Sequence, residues 1–294
     1  MLLQWILNSS LICLVAILVN SENTTVPESN NSNELQSVIV STILKNDAVN
    51  ITESLIGDKS KNPSGAAHVI EHSQIVCFDI DSTVIREEGI DELAKFCGKG
   101  QEVARLTKEA MKGTVTYQEA LRLRLNIIQP TQQQIREFLK SHATSLSSGI
   151  QEFVDRLRHA NKTIYLISGG FRCLVEPIAE EIGIPFDHVF ANILYFHYNG
   201  SYAGFDTNQP TSRTGGKSEV INTIRQSLGQ QGNVNITMIG DGATDLEAAP
   251  PANNFIGYGG NVVREEVHKR AKYYIIDFQQ LYKNPGLYRT PYAD

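Results

Sequence analysis

An open α/β sheet with helices on both faces, plus an inserted helical cap, is the fold the sequence predicts. Three observations carry that expectation. Short apolar runs recur at QIVCFD (74–79), TIYLI (163–167), NITMIG (235–240), NNFIGY (253–258) and KYYIID (272–277). They do not alternate with polar residues, so each reads as a strand buried on both faces, as parallel strands are. Helical periodicity lies between several of them. Ile150, Phe153, Val154 and Leu157 share one face, as do Ile221, Ile224 and Leu228 with Arg225 at the edge. Third, residues 88–145 form a charged, mainly helical excursion with apolar clusters at Ile90, Leu93, Ala94 and at Ala120, Leu121, Leu125. That is too long for a simple strand-to-helix crossover. A cap lying over the C-terminal edge of the sheet would close the place where open α/β folds bind ligands.

The 294 residues allow one large domain or two ordinary ones, and 41% hydrophobic content supports a sizeable core. This excludes a compositionally disordered or collagen-like chain. The formal net charge of −6 argues against a nucleic-acid binder. No internal repeat occurs. Cys13, Cys77, Cys97 and Cys173 form no CxxC pair; Cys77, inside an apolar run, reads as a buried thiol, with a lean toward a reducing compartment.

In chain order, residues 1–35 form a hydrophobic and disordered extension. LICLVAILV at 11–19 resembles the apolar part of a secretory signal. Against that, no Lys or Arg precedes Lys45, and Asn8, Ser9 and Ser10 interrupt the run. A signal, an anchor and an atypical extension all stay open, as does contact of this segment with a membrane or targeting machinery. The α/β core is expected over 36–87 and 146–294, with the cap over 88–145.

The first strand ends in DIDST, which places Asp79 and Asp81 together. One carboxylate can attack phosphorus and form an acyl phosphate, while the second moves protons. Carboxylates this close call for a hard divalent cation such as Mg2+. LISGGF (166–171) ends a second strand with Ser168, Gly169 and Gly170, whose hydroxyl and N–H groups can hold phosphoryl oxygens. SRTGGKSEV (212–220) offers Lys217 at a helix start to neutralise the transferring group. IGDGATDLEAA (239–249) ends a third strand with Asp241 and adds Asp245, which complete a magnesium site. The tail GGKS resembles an ATP-binding P-loop, but the first glycine of that pattern would fall at Thr211. His142, His159, His188 and His268 are isolated and show no metal-ligand spacing. Tyr195, Phe196, Tyr198, Tyr202 and Phe205 flank Asn199-Gly200, which predicts a hairpin turning at NG.

DIDSTVIREEGIDELAKFCG (79–98), ISGGFR (167–172), GIPFDHVFAN (183–192), YAGFDTNQPTSRTGGK (202–217) and IGDGATDLEAAPPA (239–252) together resemble the animal-type phosphoserine phosphatases. These belong to the haloacid-dehalogenase-like superfamily. The resemblance covers roughly 71–280 and implies a Rossmann-like core with a helical cap. It implies Asp79 as nucleophile and Asp81 as acid/base, with Asp79, Asp241 and, through its backbone carbonyl, Asp81 holding Mg2+ and Asp245 supporting the site. Ser168, Gly169, Gly170 and Lys217 would bind the phosphoryl group, with Thr244 and Arg264 on the substrate side. In the cap, Glu88 would meet the substrate ammonium, Arg124 its carboxylate, and Met111 would press on the bound amino acid. Where many members read Met-Gly-Gly, this chain has Met111, Lys112 and Gly113.

The implied activity is Mg2+-dependent hydrolysis of O-phospho-L-serine through an aspartyl phosphate, the last step of L-serine biosynthesis. Two alternatives stay open: the same chemistry on another small phosphorylated acid, and a catalytically silent binding protein of the same fold. The expected partner is the small-molecule substrate, with no nucleic acid; a homodimer stays open. The cytosol is the expected location.

Overall fold

Helix α1 (Pro63–His72) delivers the chain to β1 (Ile75–Phe78), all of whose side chains are buried. The computed structural model describes residues 60–110, 116–143, 145–229 and 234–282. The apolar segment at 1–35, Met111, Lys112 and Gly113 lie outside the described residues. Because side chains alternate along a strand, β1 feeds two cores. Val76 and Phe78 join Ile70, Phe153 and Val154 on one face; Ile75 and Cys77 join Val220, Ile221 and Met238 on the other. An apolar run without alternation is what such a position demands.

After β1 come α2 (Gly89–Phe96), α3 (Gly100–Ala110), α4 (Tyr117–Ile128) and α5 (Gln132–Ser141). The Thr116 side chain caps α4 by accepting from the Glu119 N–H at 3.2 Å, and Thr131 with Gln134 forms a reciprocal capping box on α5. These helices bury Leu93, Val103, Leu121 and Leu125 in an apolar cluster of their own. Phe171 and Leu174 enter the same cluster from the core side.

The core resumes with α6 (Ile150–His159), β2 (Thr163–Phe171), α7 (Arg172–Glu181) and β3 (Val189–Asn192). A hairpin, β4 (Leu194–Phe196) and β5 (Tyr202–Phe205), precedes α8 (Gly216–Ser227). Then follow β6 (Ile236–Gly240), α9 (Ala243–Leu246), β7 (Asn254–Tyr258), α10 (Glu265–Arg270) and β8 (Tyr273–Ile275). Six strands pair in parallel in the order β3-β2-β1-β6-β7-β8. The winding direction reverses between β1 and β6, which makes their C-terminal ends the binding crevice of this topology.

Besides strands at the five apolar runs, the parallel sheet includes β3, a four-residue edge strand. Two expectations need correction. The hairpin is not a two-residue NG turn. His197 to Ser201 form a longer loop in which Gly200 takes φ 81°, and its carbonyl accepts from the Gln132 N–H at 2.9 Å. Leu228 lies beyond the last residue of α8 and is 40% exposed, so Val220 takes its place on the apolar face. No helix among the described residues is long and apolar enough to cross a membrane.

Candidate active site

The end of β1 makes a tight turn at Ile80–Val84, and its geometry is strained. Ser82 adopts φ 55°, a left-handed conformation rare for a residue with a Cβ. Three bonds hold it: its N–H to Glu87 O at 3.0 Å, its Oγ to Glu88 Oε1 at 2.9 Å, and its carbonyl from Asn261 Nδ2 at 3.0 Å. The turn lets Asp79 and Asp81 line one cavity of about 360 Å³. The same cavity is lined by Glu88, Arg124, Gly169, Gly170, Lys217, Asp241, Thr244 and Arg264. The structure therefore gathers nearly all the sequence-predicted residues. Ser168 and Asp245 stand just behind the wall, each fully buried.

Asp79 Oδ1 accepts from the Ile80 N–H at 2.8 Å and pairs with Lys217 Nζ at 2.7 Å. Among the described residues nothing donates to Oδ2, which is left for chemistry. Lys217, 6% exposed at the start of α8, also donates to Asp245 Oδ1 at 2.6 Å. Burial pulls its pKa down, but Asp245 and Asp79 more than offset this, and the net shift is upward. Asp245 in turn accepts from the Gly242 N–H at 2.9 Å.

Asp81 Oδ1 accepts from the Gly89 N–H at 2.7 Å. Loss of bulk water pushes its pKa up to about 7, helped by the negative charge of Glu88 and Asp79. A carboxyl that holds its proton near neutrality can serve as a general acid. Asp241 accepts from Thr83 Oγ1 at 3.3 Å and from Arg264 Nε at 2.6 Å. Burial and then Asp79 raise it to about 6 against the pull of Arg264.

Asp79, Asp241 and Asp245 bring carboxylate oxygens within 4.8 Å of one another. Burial also lifts Asp245 well above the ordinary carboxylate range. A buried, all-oxygen carboxylate set fits a hard divalent cation, which would supply positive charge among the clustered acids. The side chain of Asp81 is not in this cluster; it turns to Gly89.

Glu88, on the wall of the same cavity, accepts from Ser82 and, at 2.8 Å, from Arg264 Nη2. Both bonds fall on Oε1, which leaves Oε2 for a ligand. Arg124 lines the cavity as well, and its Nε donates to the Ala120 carbonyl at 3.3 Å. Among the described residues it makes no ion pair, so its guanidinium is available for a carboxylate.

Sequence reasoning misses Tyr117 and Asn192. Tyr117, in the first turn of α4, lines the cavity and donates to Gly169 O at 3.4 Å. Buried Asn192 at the end of β3 donates to the same carbonyl at 2.8 Å and accepts from Thr211 Oγ1 at 2.9 Å. The capping signal of Thr116 with Glu119 places Tyr117 at a helix start; nothing in the sequence aims it at the glycine loop.

Residues 76–250 match the model of the haloacid dehalogenase-like hydrolases. The chain is 61% identical over 221 residues to a Drosophila melanogaster protein named phosphoserine phosphatase, covering 75% of this chain and 81% of that one. A Bos taurus protein of the same name is 52% identical over 206 residues, covering 70% and 90%. A solved phospho-aspartyl intermediate analogue of phosphoserine phosphatase superposes with TM-score 0.60 at 27% identity, covering 72% of this chain and 98% of that structure. The chain belongs to the haloacid dehalogenase-like hydrolase family, among its phosphoserine phosphatases.

Proposed function

We propose that this protein is a Mg2+-dependent phosphomonoesterase that hydrolyses O-phospho-L-serine to L-serine and phosphate, the closing step of serine biosynthesis. The observation that carries the reading is one cavity lined by Asp79, Asp81, Lys217 and Asp241 together with Glu88 and Arg124. Phosphoserine has a phosphate, an ammonium and a carboxylate, and this cavity offers a partner to each.

In the first step Asp79 Oδ2 attacks phosphorus, and the bond from phosphorus to the serine oxygen breaks. The leaving oxygen takes the proton of Asp81. In the second step a water attacks phosphorus, Asp81 takes the proton of that water, and the bond to Asp79 breaks to release phosphate. Lys217 neutralises the phosphoryl oxygens while orienting Asp79. A magnesium ion, held by Asp79, Asp241 and the Asp81 carbonyl, would add positive charge beside the transferring group. Glu88 Oε2 receives the substrate ammonium and Arg124 the carboxylate, with Tyr117 and Leu121 as walls.

The test is phosphate release from phosphoserine and from phosphoglycolate, with and without Mg2+. Phosphoserine should be strongly preferred, because phosphoglycolate offers Glu88 no ammonium. Glu88→Ala should lower kcat/KM on phosphoserine by about 10- to 100-fold, the worth of a charged hydrogen bond. p-Nitrophenyl phosphate should lose much less. Equal losses on both substrates would contradict the specificity assignment and favour another small phosphorylated acid.

A further inference from the structure

Helix α1 carries His68-Val69-Ile70-Glu71-His72. Ala66, Ala67, Val69 and Ile70 bury its inner face in the core, so the helix cannot roll. The helical spacing then sets His68, Glu71 and His72 side by side on the solvent face. The two imidazole rings stand 4.2 Å apart, centroid to centroid. Ligand atoms of all three side chains lie within 4.8 Å of one another.

Two further features preorganise the group. His72 Nδ1 lies 2.9 Å from the His68 carbonyl. A proton on Nδ1 makes that bond and leaves the Nε2 lone pair as the ligand, the arrangement metal-bound histidines use. The backbone beneath is clamped as well. Lys162 Nζ donates to Glu71 O at 2.8 Å and to Ser73 O at 2.6 Å, and Asn235 Nδ2 donates to His72 O at 3.3 Å.

We propose that His68, Glu71 and His72 form a second metal site, one that takes a transition ion of zinc or copper type. Two imidazoles and a carboxylate suit such borderline ions, whereas the acid cluster beside Asp79 suits a hard cation. The two sites are separated by the sheet. Ser73, Lys162 and Asn235 precede β1, β2 and β6, while Asp79 and Asp241 follow β1 and β6. The ion would keep open positions for water or a group from another molecule.

Zinc titration of the full chain in saturating Mg2+, followed by calorimetry, tests this against a His68→Ala/His72→Ala variant. The wild type should bind one Zn2+ equivalent that the double variant loses or binds about tenfold or more weakly. Phosphoserine turnover in Mg2+ should match in the two proteins, showing the fold intact. Asp241→Asn should keep the zinc equivalent. With Cu2+ in its place, electron paramagnetic resonance should show two coordinated imidazole nitrogens, reduced to one in His72→Ala. Equal zinc affinity and stoichiometry in wild type and double variant would overturn the site. So would a zinc equivalent that vanishes in Asp241→Asn, or a copper spectrum unchanged by His72→Ala.

Discussion

Lys217 is the residue on which the others depend. It pairs with Asp79 and Asp245, both buried, and no other cation among the described residues bridges them. Removing one partner of a buried pair leaves an uncompensated charge. Lys217→Ala should therefore destabilise the metal-free protein by about 3–5 kcal/mol in urea denaturation. It should lower kcat by roughly 10²- to 10³-fold, as loss of an electrostatic stabiliser does. An unchanged denaturation midpoint would contradict the first claim. The acids make a second prediction. Asp81 is raised to about 7 and Asp241 to about 6, so the folded state prefers their neutral forms. The stability this gives is complete below the unfolded carboxylate range and is lost as pH rises through about 6 and 7. In chelator, the calorimetric melting temperature should fall as pH rises across that window. Saturating Mg2+ should flatten the dependence, because it favours the ionised carboxylates. A metal-free midpoint that rises over the same window would contradict this assignment.

At the scale of elements, the first turn of α4 ties the helical excursion to the glycine segment at the end of β2 and to the loop that precedes α8. Tyr117 touches Gly169, and Gln118 Nε2 donates to Ser212 Oγ at 2.9 Å and Thr207 O at 3.2 Å, on the loop that leads to Lys217. The approach is close: a Cβ on Gly169 would lie 2.2 Å from the Tyr117 hydroxyl and 3.3 Å from the ring carbon that bears it. Gly169→Ala should push α4 outward and reduce kcat/KM. Adding Tyr117→Phe removes the atom in the way, so the double variant should recover part of the loss, and the steady-state cycle should show positive coupling. Strict additivity would mean that the two positions do not act through this contact. This junction also marks what the sequence leaves unread. Asp79, Lys217 and Asp241 are legible because each stands at a strand end or helix start beside an apolar run. Tyr117 and Asn192 act through contacts across more than one element, and no local pattern announces them. The short β3 escapes notice for a related reason: four residues hold too little apolar pattern to separate strand from loop.

At the scale of the molecule, catalysis rests on a rigid sheet whose winding reverses between β1 and β6. Phe78, Phe153, Tyr258 and Phe278 pack as a continuous aromatic group beneath it, with Phe153 stacked on Phe278 at 5.7 Å. Phe153→Ala should cost about 3–5 kcal/mol of unfolding free energy, measured by urea denaturation, and a loss below about 1 kcal/mol would contradict its place in the core. The sheet was readable because five of its six strands are apolar runs without alternation, and parallel strands have no wet face to encode. The helical excursion is legible from its length and periodicity; the contact of Tyr117 with Gly169 needed coordinates. The proposed reaction turns on one chemical event, transfer of the phosphoryl group to Asp79. The most direct measurement is to quench the enzyme during turnover of labelled phosphoserine with Mg2+ and map the labelled residue by peptide mass spectrometry. Acid-stable, base-labile label on Asp79 is the expected result, absent in Asp79→Asn together with turnover. Label on another residue, or undiminished turnover by Asp79→Asn, would contradict it.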